Sequence, residues 1–119
     1  MSRNYPEEIE ITAVQLAGET EGLKAARENL ALVEAQILFQ ILSEVDEKGK
    51  PVFSNEDKRG AELVIRLSQD ERVCAIKQTI SKTGLHQKQL EARLEKLRGL
   101  FSIEKIERRE KLAALEAVQ

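Results

Sequence analysis

Two side chains in this 119-residue chain are reactive enough to act alone as nucleophile, base or soft metal ligand: a single cysteine, Cys74, and a single histidine, His86. A zinc site needs several such ligands converging at fixed spacing. Cys74 and His86 share one arm of the chain and lie far apart on it. No second Cys, Asp or Glu stands at ligand spacing around His86. The Glu-x-x-His pair of di-metal helical bundles is absent. Gly49, Gly60, Gly84 and Gly99 do not build a phosphate loop, and no Walker or dinucleotide pattern occurs. No pair of carboxylates stands out for acid–base work. The expectation is a non-enzymatic chain with no catalytic residue, no metal and no cofactor, a solvated His86, and a half-buried Cys74 beside Val73, Ala75 and Ile76.

Charge offers a second kind of chemistry. The net charge is −2, but residues 1–47 carry 3 Lys/Arg against 10 Asp/Glu and residues 48–119 carry 16 against 11. An acidic arm folded on a basic one favours antiparallel pairing. Within residues 72–98, Arg72, Lys77, Lys82, Lys88, Arg93, Lys96 and Arg98 face only Glu91 and Glu95. Such a stripe could contact phosphates. No aromatic residue lies among them, so base stacking on a platform is unsupported. Nucleic-acid contact through these seven residues requires that they lie together on one solvent-facing stripe.

The elements that must carry these groups are two long arms about a bend. Gly49 and Pro51 interrupt any helix, since proline lacks the backbone donor and drives Lys50 out of the helical region. Gly49 reads as the terminator of the first arm. Val52-Phe53 reads as an extended pair whose ring covers the end of the apolar seam. Ser54 reads as an N-cap with Asp57 in capping-box position. The domain reading is one helical-hairpin domain, 1–119, with a frayed leader 1–8, a first arm 9–47 kinked near 18–22, a bend 48–54, a second arm 55–107 and a C-terminal tail 108–119. The kink is expected because Gly18 and Gly22 each weaken helix by about 1 kcal/mol, and Thr20 could cap a restart.

Heptad spacing fills one stripe of the first arm: Ile9, Leu16, Leu23, Leu30 and Ile37, with the poorer Thr12, Glu19, Ala26, Val33 and Gln40 between. Between Leu30 and Val45, Leu32, Leu38, Phe39, Ile41 and Leu42 join it, so apolar groups cover more than one face. The second arm carries Ala61, Leu63, Val64, Ile65 and Leu67, then Val73, Ile76 and Ile80. Ser68 with Glu71 has capping-box spacing, yet the absence of glycine or proline nearby favours a continuous helix. The stretch Thr79–Gln87 is polar and Gly84 is its softest point. Leu90, Leu94, Leu97 and Phe101 restore a coiled-coil seam, and Ile103, Ile106, Leu112, Leu115 and Val118 form a last amphipathic stretch expected to fray.

With 41% hydrophobic and 34% charged residues, 3% aromatic and no tryptophan, the fold class is all-α: a long antiparallel helical hairpin, coiled-coil-like, with short extra helices allowed at its ends. Two helices folded once bury little core, and self-association is the usual remedy. The expected partners are a second copy, or another protein through helix packing, at Leu30, Ile37, Leu38, Phe39, Ile41, Leu42 and Val45. The run Leu30–Val45 is too short and too polar to span a bilayer, and the leader holds Glu7, Glu8 and Glu10, unlike a secretory or mitochondrial signal. A lone cysteine suits a reducing cytoplasm.

The run Gly49-Lys50-Pro51-Val52-Phe53-Ser54-Asn55-Glu56-Asp57-Lys58-Arg59, followed by Glu62-Leu63 and Asp70-Glu71, resembles a pattern in small uncharacterised helical proteins of phage-like and mobile-element gene clusters. The resemblance covers a minor part of the chain and transfers no functional residue. It implies a replication or recombination accessory. The principal reading is a helical interaction or scaffold protein, and the alternative is a nucleic-acid-binding accessory using 72–98.

Overall fold

The computed structural model describes residues 3–118, which form three helices: α1 (Tyr5–Ser43), α2 (Glu56–Gln69) and α3 (Glu71–Val118). The fold is all-α, an antiparallel helical hairpin, and the one β-type pairing among the described residues is the isolated bridge between Val45 and Pro51. The chain forms two units, Met1–Thr20 with Gly84–Gln119, and Glu21–Thr83. Their limits fall at the two stretches, around Thr20 and around Gly84, where the sequence is poorest in helix formers.

α1 starts earlier than expected. Asn4 caps it, its Oδ1 accepting from the Glu7 amide at 3.2 Å, and Pro6 lies in the first turn, where a missing N–H costs no hydrogen bond. The expected leader is therefore helical from Tyr5; its residues Met1 and Ser2 lie outside the described part. Nor is there a break near 18–22. A Cβ at Gly18 or Gly22 would meet nothing, so both point away from the packed side. Thr20 donates to the Leu16 carbonyl at 2.9 Å inside the helix instead of capping a restart. The heptad stripe carries the helix through: Ile9, Leu16, Ala26 and Leu30 are half-buried, as is Glu19, while Thr12, Leu23, Val33 and Ile37 are buried.

The unit Glu21–Thr83 holds the bend. α1 ends at Ser43, so Gly49 does not terminate it. Gly49 has φ +77 and turns a short hairpin instead: its amide donates to Asp46 O at 3.0 Å, Asp46 N donates to Lys50 O at 2.8 Å, and Val52 N donates to Glu44 O at 3.1 Å. The Asp46 carboxylate fixes the same turn, accepting from Lys48 N and Lys50 N, each at 2.9 Å. α2 is capped by Asn55, whose Oδ1 accepts from Lys58 N at 2.8 Å; the cap is one residue later than the expected Ser54. Phe53 is half-buried against the core, as its position suggested.

The second arm is not one helix. Asp70 leaves the helical region at φ −78, ψ 120, and its Oδ1 accepts from Arg72 N at 2.8 Å and Val73 N at 3.1 Å. It ends α2 and caps α3 at once. An Asp that satisfies two free amides at a helix start outweighs one extra turn of continuity. Ser68, the sequence's candidate cap, donates to Ile65 O instead. The core of this unit is Val33, Ile37, Ile41 and Val73, with Leu30, Phe53, Leu63, Leu67 and Ile76 packed against it.

In the other unit, the first turns of α1 run antiparallel to the C-terminal part of α3. Tyr5 and Phe101 approach at 6.2 Å between ring centroids, and Gln87 donates to Thr20 Oγ1 at 3.0 Å. Leu90, Leu94, Leu97 and Thr12 are buried. α3 continues through Gly99 and past residue 107 to Val118, so the expected tail is a helical extension. From Lys105 onward every described residue is exposed.

Ile41 is 1% exposed and Leu115 64%. Ile41→Ala should cost about 2–5 kcal/mol of stability and Leu115→Ala no more than about 0.5 kcal/mol, read as a loss of denaturation midpoint in urea. The reverse order would mean that the C-terminal segment belongs to the core.

Candidate interaction surface

From Leu30 to Leu42, α1 carries two apolar faces with different fates. Ile37 and Ile41 are buried, Leu30 and Leu38 half-buried, and Leu30, Ile37 and Ile41 belong to the core with α2 and α3 residues. These three serve the chain's own fold first. Phe39 is 70% exposed, and Leu42 and Val45 are also exposed. Leu32, absent from the expected contact set, is exposed as well. Leu32, Ala35, Phe39 and Leu42 stand at alternating three- and four-residue spacing, so they form one stripe down the helix. The signal was present in the sequence: from Asn29 to Ser43 the only charged side chain is Glu34. What the sequence lacked was the register change at the bend. The packed stripe runs in heptads from Ile9 to Ile37 and then steps to Ile41, leaving Gln40 exposed. The exposed row Leu32, Ala35, Phe39 and Leu42 lies on the side of α1 opposite this packed stripe.

The C-terminal end of the stripe is held by charge. The Arg66 guanidinium lies 2.8 Å from Glu44 Oε2 and 2.8 Å from Glu62 Oε1, and sits 5.6 Å from the Phe53 ring centroid. One cation thus joins the end of α1, the bend and α2. The hydrogen bond from Arg66 holds the Glu44 carboxyl below the usual range, and the two carboxylates push the Arg66 pKa up. Asp70 is lowered by the hydrogen bonds from the Arg72 side chain and the Val73 amide, and Glu8 by the hydrogen bond from Arg3.

The seven expected phosphate-contacting residues are all exposed, but they do not form one stripe. At about 100° per residue, Arg72, Lys77 and Lys82 leave α3 on different sides within the bend unit. In the other unit, Arg93 and Lys96 lie together, and Lys88 and Arg98 point elsewhere. Arg72 is also engaged by Asp70 at 3.1 Å. Arg93 and Lys96 line a shallow groove with Arg3 and Leu97.

His86 is 53% exposed, and its Nδ1 lies 3.3 Å from Glu19 Oε2 of α1. That neighbour is distant in sequence and invisible to spacing arguments. Cys74 is exposed rather than half-buried: Val73 turns inward to 0% exposure, and the adjacent position on a helix turns out. Its Sγ lies 3.9 Å from Ser68 O. Among the described residues no three His, Cys, Asp or Glu side chains gather as a metal-binding group, and no helix is long and apolar enough to cross a membrane. No family model, no curated protein and no solved structure matches the chain.

Glu8, Glu44 and Asp70 titrate lower in the folded chain than unfolded, so the unfolded state takes up more protons in acid. Their contribution to stability is complete above the unfolded carboxylate range, roughly pH 4, and drains as the pH falls through the lower folded values. In urea denaturation, a Glu44→Gln, Asp70→Asn double variant should be less stable than the wild type at pH 7, and the gap should narrow at pH 3. A gap of the same size at both pH values would contradict these pairings.

Proposed function

We propose that this chain is a non-enzymatic helical scaffold that works by self-association through the outer stripe of α1. The observation that carries the reading is Phe39, 70% exposed, in a stripe with Leu32, Ala35 and Leu42 and in a segment whose only charge is Glu34. Single exposed apolar residues are ordinary; a helical row of them free of charge is the signature of a covered face. The resemblance to phage-like and mobile-element proteins would place such a scaffold among replication or recombination accessories. Reducing, cytoplasmic surroundings fit its exposed thiol.

The alternative, contact with nucleic acid, keeps one local support in the groove shared by Arg3, Arg93 and Lys96. Two of the seven cations are too few for strong phosphate binding. A labelled-oligonucleotide titration at low salt should show no binding. Salt-dependent binding that is lost in an Arg93→Ala, Lys96→Ala variant would reverse the preference.

Self-association is tested by light scattering at micromolar concentrations. The wild type should give at least a dimer mass, and a Phe39→Glu, Leu42→Glu variant a monomer with unchanged helix content. A wild-type monomer across that range would overturn the reading.

A further inference from the structure

We infer that the outer stripe of α1 takes the same stripe of a second copy, antiparallel and about a two-fold axis, with Leu32 of each chain facing Leu42 of the other. The inference rests on the self-association reading and adds the partner's orientation and register.

Side-chain volume sets the orientation. In an antiparallel pair centred near Ile37, Leu32 meets Leu42 and Ala35 meets Phe39, each contact occurring twice. The smallest residue of the stripe then faces the largest, and two leucines close the ends. Side chains that alternate large against small across a helix pair pack without voids. A parallel pair would set Ala35 against Ala35 and Phe39 against Phe39. One layer would be hollow and the next overfilled, and both faults destabilise.

Charge does not set the direction. The residues flanking the stripe are Asn29, Ala31, Gln36, Leu38 and Ser43, all uncharged, and the one charge on its line, Glu28, lies a turn before Leu32 and outside the four-residue contact, so no ion pairs at the edges prefer one orientation. Packing and the opposed helix dipoles decide, and both favour antiparallel.

Leu32, Phe39 and Leu42 are 58%, 70% and 50% exposed, and with Ala35 they offer on the order of 800 Å² counted on both copies, so the ~1,000 Å² of a specific interface is reached only if the flanking Asn29, Gln36, Leu38 and Ser43 are covered too.

The test uses flanking positions, so that the stripe itself stays intact. On a Cys74→Ser background, Asn29→Cys and Ser43→Cys each place one thiol beside the stripe; both positions are exposed. In the antiparallel pair, position 29 of one copy neighbours position 43 of the other, while like positions lie roughly 20 Å apart. With a short bis-maleimide, the mixture of the two variants should cross-link and neither variant alone should. Cross-linking of each variant with itself would establish the parallel pair and overturn the inference. No cross-link in either case, with the Cys74→Ser parent dimeric by light scattering, would overturn the register alone. A monomeric parent would overturn the self-association reading beneath it.

Discussion

The fold depends on one buried cluster, Val33, Ile37 and Ile41 of α1 with Val73 of α3, onto which Leu63 and Leu67 of α2 pack. Val73 and Ile41 are 0% and 1% exposed, in a chain with few fully buried side chains. Asp70 makes this possible. By capping α3 it stops α2 at Gln69, four residues before Val73, so the cluster on α1 from Leu30 to Ile41 is packed by side chains of both helices rather than by one continuous partner. Along α1 the packed stripe steps from Ile37 to Ile41 and Gln40 is exposed, while Leu32, Ala35, Phe39 and Leu42 form a separate exposed row on the opposite side of the helix.

The all-α hairpin was legible because its signals are local and agree. Gly49 and Pro51 marked the bend, and the row Ile9, Leu16, Leu23, Leu30 and Ile37 marked the packed face of α1. Errors came where a short polar side chain decides between two acceptable local structures. Asn55 rather than Ser54 caps α2, and Asp70 breaks an arm that propensity alone would continue. Glycine misled in the other sense: Gly18 and Gly22 cost helix locally, yet packing on the opposite face carries α1 past them. Cys74 shows a finer limit, since one residue of rotation separates a buried position from an exposed one.

The interaction surface was half legible. Two-sided apolarity between Leu30 and Val45 was evident, but composition could not assign each residue to a side. Ile37 and Ile41 went to the core, and Phe39, Leu42 and Val45 to solvent. The basic residues of 72–98 show the same limit from the other direction: a favourable charge count along the sequence became a scattered distribution once wound on a helix. The Glu19–His86 contact is legible only in three dimensions, because its partners sit on different arms.

The central claim is that stability is concentrated in the cluster of Val33, Ile37, Ile41 and Val73 and falls away along the exposed end of α3. Native-state amide hydrogen exchange tests it most directly, since each amide reports the free energy of the opening that exposes it. Amides of residues 33–41 and 73–76 should be the slowest and exchange only through global unfolding, while those of residues 105–118 should exchange through local fraying. Protection in residues 105–118 equal to that around Ile41 would contradict the account.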